Sequence, residues 1–182
     1  MSNLKFDFYN RFRNISDDLV FRSFSGKSYS SKICQNYFFF LYKKIKDNKS
    51  PVALFCNSSI ESHIISFFLI LSPFKVFFLS NSTNPVQIKK IILNEKIKSI
   101  FKFSNIEFID EYTNLSKDIN TINIPSIEDF VKWTNPSFDL NLVSKEYHLN
   151  NKIGDSIFMS SGSTGEPKLI PLSYKEINSC YM

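Results

Sequence analysis

Nine residues, Ser160-Ser-Gly-Ser-Thr-Gly-Glu-Pro-Lys168, hold the densest chemistry in the chain. Small side chains let the main chain approach an anion closely. Backbone N–H groups and the hydroxyls of Ser161, Ser163 and Thr164 can donate to phosphate oxygens, and Lys168 adds a positive charge. Pro167 stiffens the exit. The composition makes the clustering informative: the chain has only 4 glycines, and two of them, Gly162 and Gly165, fall in this string. It is not a Walker A loop, which needs Gly-Lys where this chain has Pro167-Lys168. The competing reading is a plain polar turn, but the full nine-residue string is more specific than its composition.

No other group matches it. Cys34, Cys56 and Cys180 are odd in number and form no CxxC pair, and His63 and His148 are not spaced with them as ligands. The expectation is reduced thiols in a cytoplasmic protein with no metal site. His63 reads as a structural histidine on an apolar helix. Asp110-Glu111 and Glu128-Asp129 are carboxylate pairs without a partner base, expected at the surface. Lys89-Lys90 and the set Lys96, Lys98 and Lys102 read as a solvated helix face and strand ends rather than a nucleic-acid surface. Trp133 lacks the spacing of an RNA-stacking platform and reads as packing.

The elements that must position the loop follow from periodicity. Ser31 to Ile45 predicts a helix with Ile33, Cys34, Tyr37, Phe38, Leu41 and Ile45 on one face, and Lys43, Lys44 and Lys46 at its negative end. Pro51 to Cys56 has strand length. Ser58 and Glu61 have capping-box spacing and open a helix through Leu71. Val76 to Leu79 predicts a second strand, Asn84-Pro85 a helix start with Ile88, Ile91 and Ile92 buried, and Lys98 to Phe103 a third strand. From Asn105 to Asn151 the pattern weakens: Ile106 to Ile109 reads as a strand, and Ser126 caps a short helix to Trp133. Asp155 to Met159 is a strand leading into the loop, with the apolar run Leu169 to Leu172 after it. Ser173 and Glu176 repeat the capping-box spacing. Alternation of this kind predicts an α/β fold, a layered parallel sheet with helices on both faces.

With those elements in place, Ser160 to Lys168 resembles the signature loop of the adenylate-forming (AMP-binding) superfamily: acyl-CoA synthetases, peptide-synthetase adenylation domains and luciferases. The resemblance extends loosely over Ser25 to Phe103, through Lys27-Ser-Tyr29 and the helix after it, the segment Pro51 to Asn57, the helix from Ser58 and the Asn84-Pro85 helix, and closely over Asp155 to Ile177. It implies that Gly162, Ser163, Thr164 and Gly165, with Ser161 and Lys168 beside them, cradle the β- and γ-phosphates of ATP. A carboxylate would attack the α-phosphorus, giving an acyl adenylate and pyrophosphate, with Mg²⁺ on the triphosphate. The string Pro167-Lys-Leu-Ile-Pro171, with Leu169 where most members have Gly, is similar to the branch that activates aryl acids such as dihydroxybenzoate. Tyr174 stands where the family usually has His.

The family's later motifs, including its ribose-gripping Asp and late catalytic Lys, lie beyond this loop. The expectation is therefore that residues 1–182 form a partial N-terminal AMP-binding domain without the C-terminal domain, and no catalytic residue is assigned. The implied partners are a carboxylic acid and the thiol of CoA or a carrier protein. Two alternatives stand beside this: a non-catalytic remnant or pseudoenzyme of the family, and a peptide-synthetase adenylation-domain fragment.

Length and composition agree with a globular domain. The chain has 182 residues, 43% hydrophobic and 21% charged, ordinary values that exclude wholesale disorder. The formal charge of +5 is too small to imply a polyanion partner. Phe reaches 20 and Ala53 is the only alanine, a texture expected of AT-rich coding. The apolar runs Ile64 to Leu71 and Val76 to Leu79 are divided by Ser72-Pro73 and Lys75, so they read as a buried helix and strand, not a membrane span. Met1 to Arg13 lacks the order of a signal peptide.

Overall fold

The computed structural model describes residues 20–23, 25–45, 47, 49–70, 72–103, 118–133, 154–160 and 167–179. A short antiparallel hairpin, β1 (Val20–Arg22) and β2 (Ser28–Ser30), precedes helix α1 (Ser31–Tyr42). Then follow β3 (Val52–Cys56), α2 (Ile60–Ile70), β4 (Val76–Ser80), α3 (Pro85–Asn94) and β5 (Ser99–Phe103). The remainder is β6 (Asn120–Ile124), α4 (Ile127–Trp133), β7 (Ser156–Ser160), β8 (Lys168–Leu172) and α5 (Tyr174–Ser179).

Six strands form one sheet in the order β6-β5-β3-β4-β7-β8. Five run parallel; β8 turns back antiparallel to β7, so the sheet is mixed at that edge. The parallel strands end at one edge of the sheet, at Ile124, Phe103, Cys56, Ser80 and Ser160. Right-handed crossovers put α2 and α4, which lead rightward from β3 and β6, on one face, and α3, which leads back from β4 to β5, on the other. Ring contacts agree. Phe38 of α1 stacks on Phe68 of α2 at 4.7 Å, and Tyr37 of α1 meets Phe130 of α4 edge-on at 5.3 Å. The Tyr37 hydroxyl also donates to the Pro125 carbonyl at 2.5 Å.

The core lies on the central strands. Every residue of Val52–Phe55, Val76–Leu79 and Ser99–Phe103 is buried, the near-continuous apolar pattern of a parallel sheet covered on both faces. Phe78 and Phe158 are register partners on β4 and β7 and stack at 4.8 Å. Each fully buried Phe, Leu or Ile contributes about 1.5–3 kcal/mol, which fixes β7, and so the start of the loop, to the sheet. The run first weighed as a membrane span is α2 plus β4, and no helix among the described residues is long and apolar enough to cross a membrane.

Several expected boundaries shift, for identifiable reasons. Ser30 caps α1, accepting from Ile33 N, and the helix stops at Tyr42, so Lys43 to Ile45 form a turn after it. The cap of α2 is Ser59 rather than Ser58: its hydroxyl accepts from Ser62 N at 3.1 Å, while Asn57 accepts from Ser59 N at 2.9 Å. Glu61 is thereby released from a capping box and accepts from Ile127 N at 3.2 Å, capping α4 instead. Asn84 accepts from Val86 N at 2.9 Å with Pro85 in the first turn, as its spacing predicts.

Helix α3 ends in a Schellman turn. Ile97 N donates to Ile92 O at 3.0 Å and Lys96 N to Leu93 O at 3.2 Å, which requires Lys96 at φ 53°. Lys102 is 7% exposed within β5, not a solvated strand end, because β5 is flanked by β3 and β6. Glu128 pairs with Lys27, and Asp129 accepts from Ser126 and faces Lys132, so neither carboxylate is partnerless. The expected strand Ile106 to Ile109, the pair Asp110-Glu111, and His148 and Cys180 lie outside the described residues.

Candidate functional site

The nine-residue string runs from the last residue of β7 to the first of β8. Its two ends, Ser160 and Lys168, are register partners across that antiparallel pair. Ser161, Gly162, Ser163, Thr164 and Gly165 lie outside the described residues, as does Glu166. Lys168 is exposed at the start of β8, and Pro167 is half-buried before it.

β7 is held from its other side by β4, with Val76, Phe77 and Phe78 opposite Ser156, Ile157 and Phe158. Continuing that register brings Ser80 and Ser160 to the same level, where both strands end. The ends of the string therefore stand at the carboxyl edge of the parallel sheet, where open α/β folds bind ligands. Polar groups gather there: Ser80 and Ser82 share a hydroxyl–hydroxyl bond of 2.7 Å, and Asn57 and Asn81 follow β3 and β4.

Asn81 was not singled out by its sequence context. Its Oδ1 is buried and has no hydrogen-bond partner among the described residues, an arrangement that costs about 1–3 kcal/mol if it stays unmet. An unpaired acceptor beside the end of β7 adds to the site's polar groups. Its only sequence signal was a position two residues past the expected strand Val76 to Leu79.

Beyond β8, the predicted capping box at α5 is formed. Glu176 Oε2 accepts from Ser173 N at 2.7 Å and from the Ser173 hydroxyl at 2.6 Å, while Glu176 N donates to Ser173 Oγ at 3.3 Å. These hydrogen bonds to the charged form hold the Glu176 carboxyl below its ordinary value. The box fixes where the chain goes after the hairpin.

Other predicted candidates are structural. His63 is exposed on α2, and its Nδ1 lies 2.7 Å from Ser59 O, so Nδ1–H donates within its own helix. Cys34 and Cys56 are free thiols. Burial pushes Cys34 up to about 12 and raises Cys56, so neither is an activated nucleophile. Among the described residues, no group of three or more His, Cys, Asp or Glu could hold a metal ion.

No family model and no curated protein matches the sequence. Solved structures do match the fold. An anthranilate CoA ligase, AuaEII, in complex with anthranoyl-AMP aligns with TM-score 0.66 at 15% identity, over 94% of this chain and 34% of that one. ATP-bound MatB from Rhodopseudomonas palustris aligns with TM-score 0.64 at 14% identity, over 94% of this chain and 35% of that one. A luciferase-like enzyme from the mealworm Zophobas morio aligns with TM-score 0.61 at 19% identity, over 94% and 42%. The chain thus spans less than half the length of these structures. At such identities the likeness is one of fold, and in that sense the chain has the α/β fold of adenylate-forming enzymes.

Proposed function

We propose that this chain is the phosphate-binding, N-terminal part of an ATP-dependent ligase that activates a carboxylic acid as an acyl adenylate and releases pyrophosphate. The observation that carries the reading is the pairing of Ser160 with Lys168, which brings the two ends of the string together at the carboxyl edge of the sheet. Ser161, Gly162, Ser163, Thr164 and Gly165 supply N–H and hydroxyl donors to the β- and γ-phosphates, and Lys168 supplies charge at the loop exit. These are donors and a cation, so they fit phosphate. The loop's one carboxylate is Glu166, so Mg²⁺ would be held chiefly by the phosphates themselves. Nucleotidyl transfer depends largely on such positioning and charge neutralisation.

The finer assignment of an aryl acid rests on the string Pro167-Lys-Leu-Ile-Pro171; the acceptor, the thiol of CoA or a carrier protein, rests on the resemblance of Ser160 to Lys168 to the signature loop. The test is acid-dependent ATP–pyrophosphate exchange by the whole protein containing this chain, across aryl and fatty acids. Exchange with aryl acids upholds the reading. Exchange with fatty acids alone overturns the aryl assignment, and exchange with neither overturns the reaction.

A further inference from the structure

A cleft of about 630 Å³ lies between the β1–β2 hairpin, the start of α2 and the start of α4. That is the size of a small-ligand pocket. Ser58 and Ser59 of its lining follow β3, and Ser126 follows β6. The string Ser160–Lys168 instead joins β7 to β8, on the other side of the sheet order, and none of the cleft's described lining residues belongs to it.

The hairpin register decides which side chains face the cleft. Phe21 and Tyr29 are directly opposed and share one face of the two-stranded ribbon. Ser23 N donates to Lys27 O at 2.8 Å, which carries the ladder one pair further and puts Lys27 on that same face. This face turns toward the helices: Phe21 meets Phe67 of α2 edge-on at 6.4 Å, and Lys27 pairs with Glu128 of α4. Arg22 and Ser28 are the pair between, so the Arg22 guanidinium leaves from the reverse face.

The fixed charges on the cleft side are then Lys27, Glu61 and Glu128, one cation against two carboxylates. Lys27 and Glu128 take up one another. Glu61, half-buried at the start of α2, accepts through Oε1 from Ile127 N at 3.2 Å. Its Oε2 has no partner and no cation pairs with it among the described residues. His63 adds an acceptor at the rim, because its Nδ1–H donates to Ser59 O and leaves Nε2 open. The unused groups are therefore chiefly acceptors, and one is a carboxylate oxygen, which an opposite charge favours. Phe21, Tyr29 and Ile60 are half-buried and supply apolar surface beside it. We propose that this cleft binds a small organic cation with a flat apolar body, its N–H donors on Glu61 Oε2 and its body against Phe21, Tyr29 and Ile60. It is distinct from the phosphate loop and rests on no part of the reading above.

The test is an amide NMR titration of the isotope-labelled 182-residue chain with three ligands of one shape and different charge: benzamidine, benzamide and benzoate. Benzamidine should give saturable shifts at Phe21, Lys27, Tyr29 and Ser59 to Glu61. Benzamide should bind roughly fivefold or more weakly, the difference between a charged and a neutral hydrogen bond, and benzoate should not bind. Glu61→Gln keeps an acceptor for Ile127 N and removes the charge. It should leave the Ile127 amide signal in place and weaken benzamidine by the same factor. The proposal is overturned by no saturable benzamidine shift up to about 10 mM, by benzamide or benzoate binding as tightly as benzamidine, or by unchanged benzamidine affinity in Glu61→Gln. Should Glu61→Gln fail to fold, the three-ligand comparison on the parent chain decides alone.

Discussion

Ser160 on β7 and Lys168 on β8 stand directly opposite one another in an antiparallel pair. Opposed residues in such a pair have Cα atoms about 4.5–5.5 Å apart. Seven residues of loop chemistry are thus pinned at both ends to a sheet whose next strand, β4, is buried through Leu79. Rigid ends on a covered sheet are what a phosphate cradle needs, because its donors must be in place before charge develops.

The Lys27–Glu128 pair ties the hairpin to α4 across 101 residues of chain. The Glu128 carboxyl is lowered by the hydrogen bond from Lys27 and by its charge; the Lys27 ammonium is raised by the same two causes. The signs give a plateau. The carboxylate's contribution is present above its ordinary value of 4.5 and is lost as pH falls through its lowered value. The ammonium's contribution is present below its ordinary value of 10.5 and is lost as pH rises through its raised value. Both groups are exposed, so salt should weaken the link. Carbon-detected NMR titration of Glu128 should show its pKa returning toward the ordinary value in Lys27→Met and in high salt. A Glu128 titration unchanged by Lys27→Met would contradict the pairing.

Gly154 precedes β7 and is fixed by close backbone approach. Its N–H donates to Ser72 O at 2.9 Å, and a Cβ built there would lie 1.8 Å from Phe74 O. Gly154→Ala must therefore shift main chain, at a cost of roughly 3 kcal/mol or more. Urea denaturation should show a large drop in midpoint or no cooperative transition. A midpoint within error of the parent would mean that Gly154 does not pack against Phe74.

Lys96 offers a change in the opposite direction. It occupies the left-handed position of the α3 Schellman turn, which Gly fills without steric cost. Lys96→Gly should stabilise the chain by about 0.5–1 kcal/mol, the left-handed penalty less the added freedom of the unfolded chain. Thermal or urea unfolding reads this as a higher midpoint. A lower midpoint would indicate that the Lys96 side chain contributes more than its backbone costs.

Sequence patterns located the elements best where one local interaction decides. The Asn84-Pro85 start of α3, the Ser126 start of α4 and the Ser173–Glu176 box at α5 are set within a few residues, and all three form. Patterns failed where distant partners decide. Glu61 was claimed by Ile127, 66 residues away, and Lys102 was buried by strands on either side. β1 and β2 are three residues each, too short for a period. In β6, Asn120-Thr-Ile-Asn-Ile124 is polar enough to read as loop, yet it pairs in parallel with all of β5. The reversal of β8 has no local signature either, since a strand's direction depends on its neighbour. The candidate loop was legible because two of the chain's 4 glycines fall in it among hydroxyl side chains; Asn81 was not, because its burial depends on the fold.

The central claim is that Ser160–Lys168 holds the phosphates of ATP. Calorimetric titration of the 182-residue chain with Mg-ATP and with pyrophosphate tests it most directly, using the parent, Thr164→Ala and Lys168→Ala. Removing a neutral donor should cost about 0.5–1.5 kcal/mol, and removing a charged one about 1.5–3 kcal/mol. Affinity should therefore fall roughly two- to tenfold in Thr164→Ala and tenfold or more in Lys168→Ala, with circular dichroism unchanged because Lys168 is exposed. Binding at the parent affinity in both variants, or no binding by the parent, would contradict the account and leave the string a polar turn between β7 and β8.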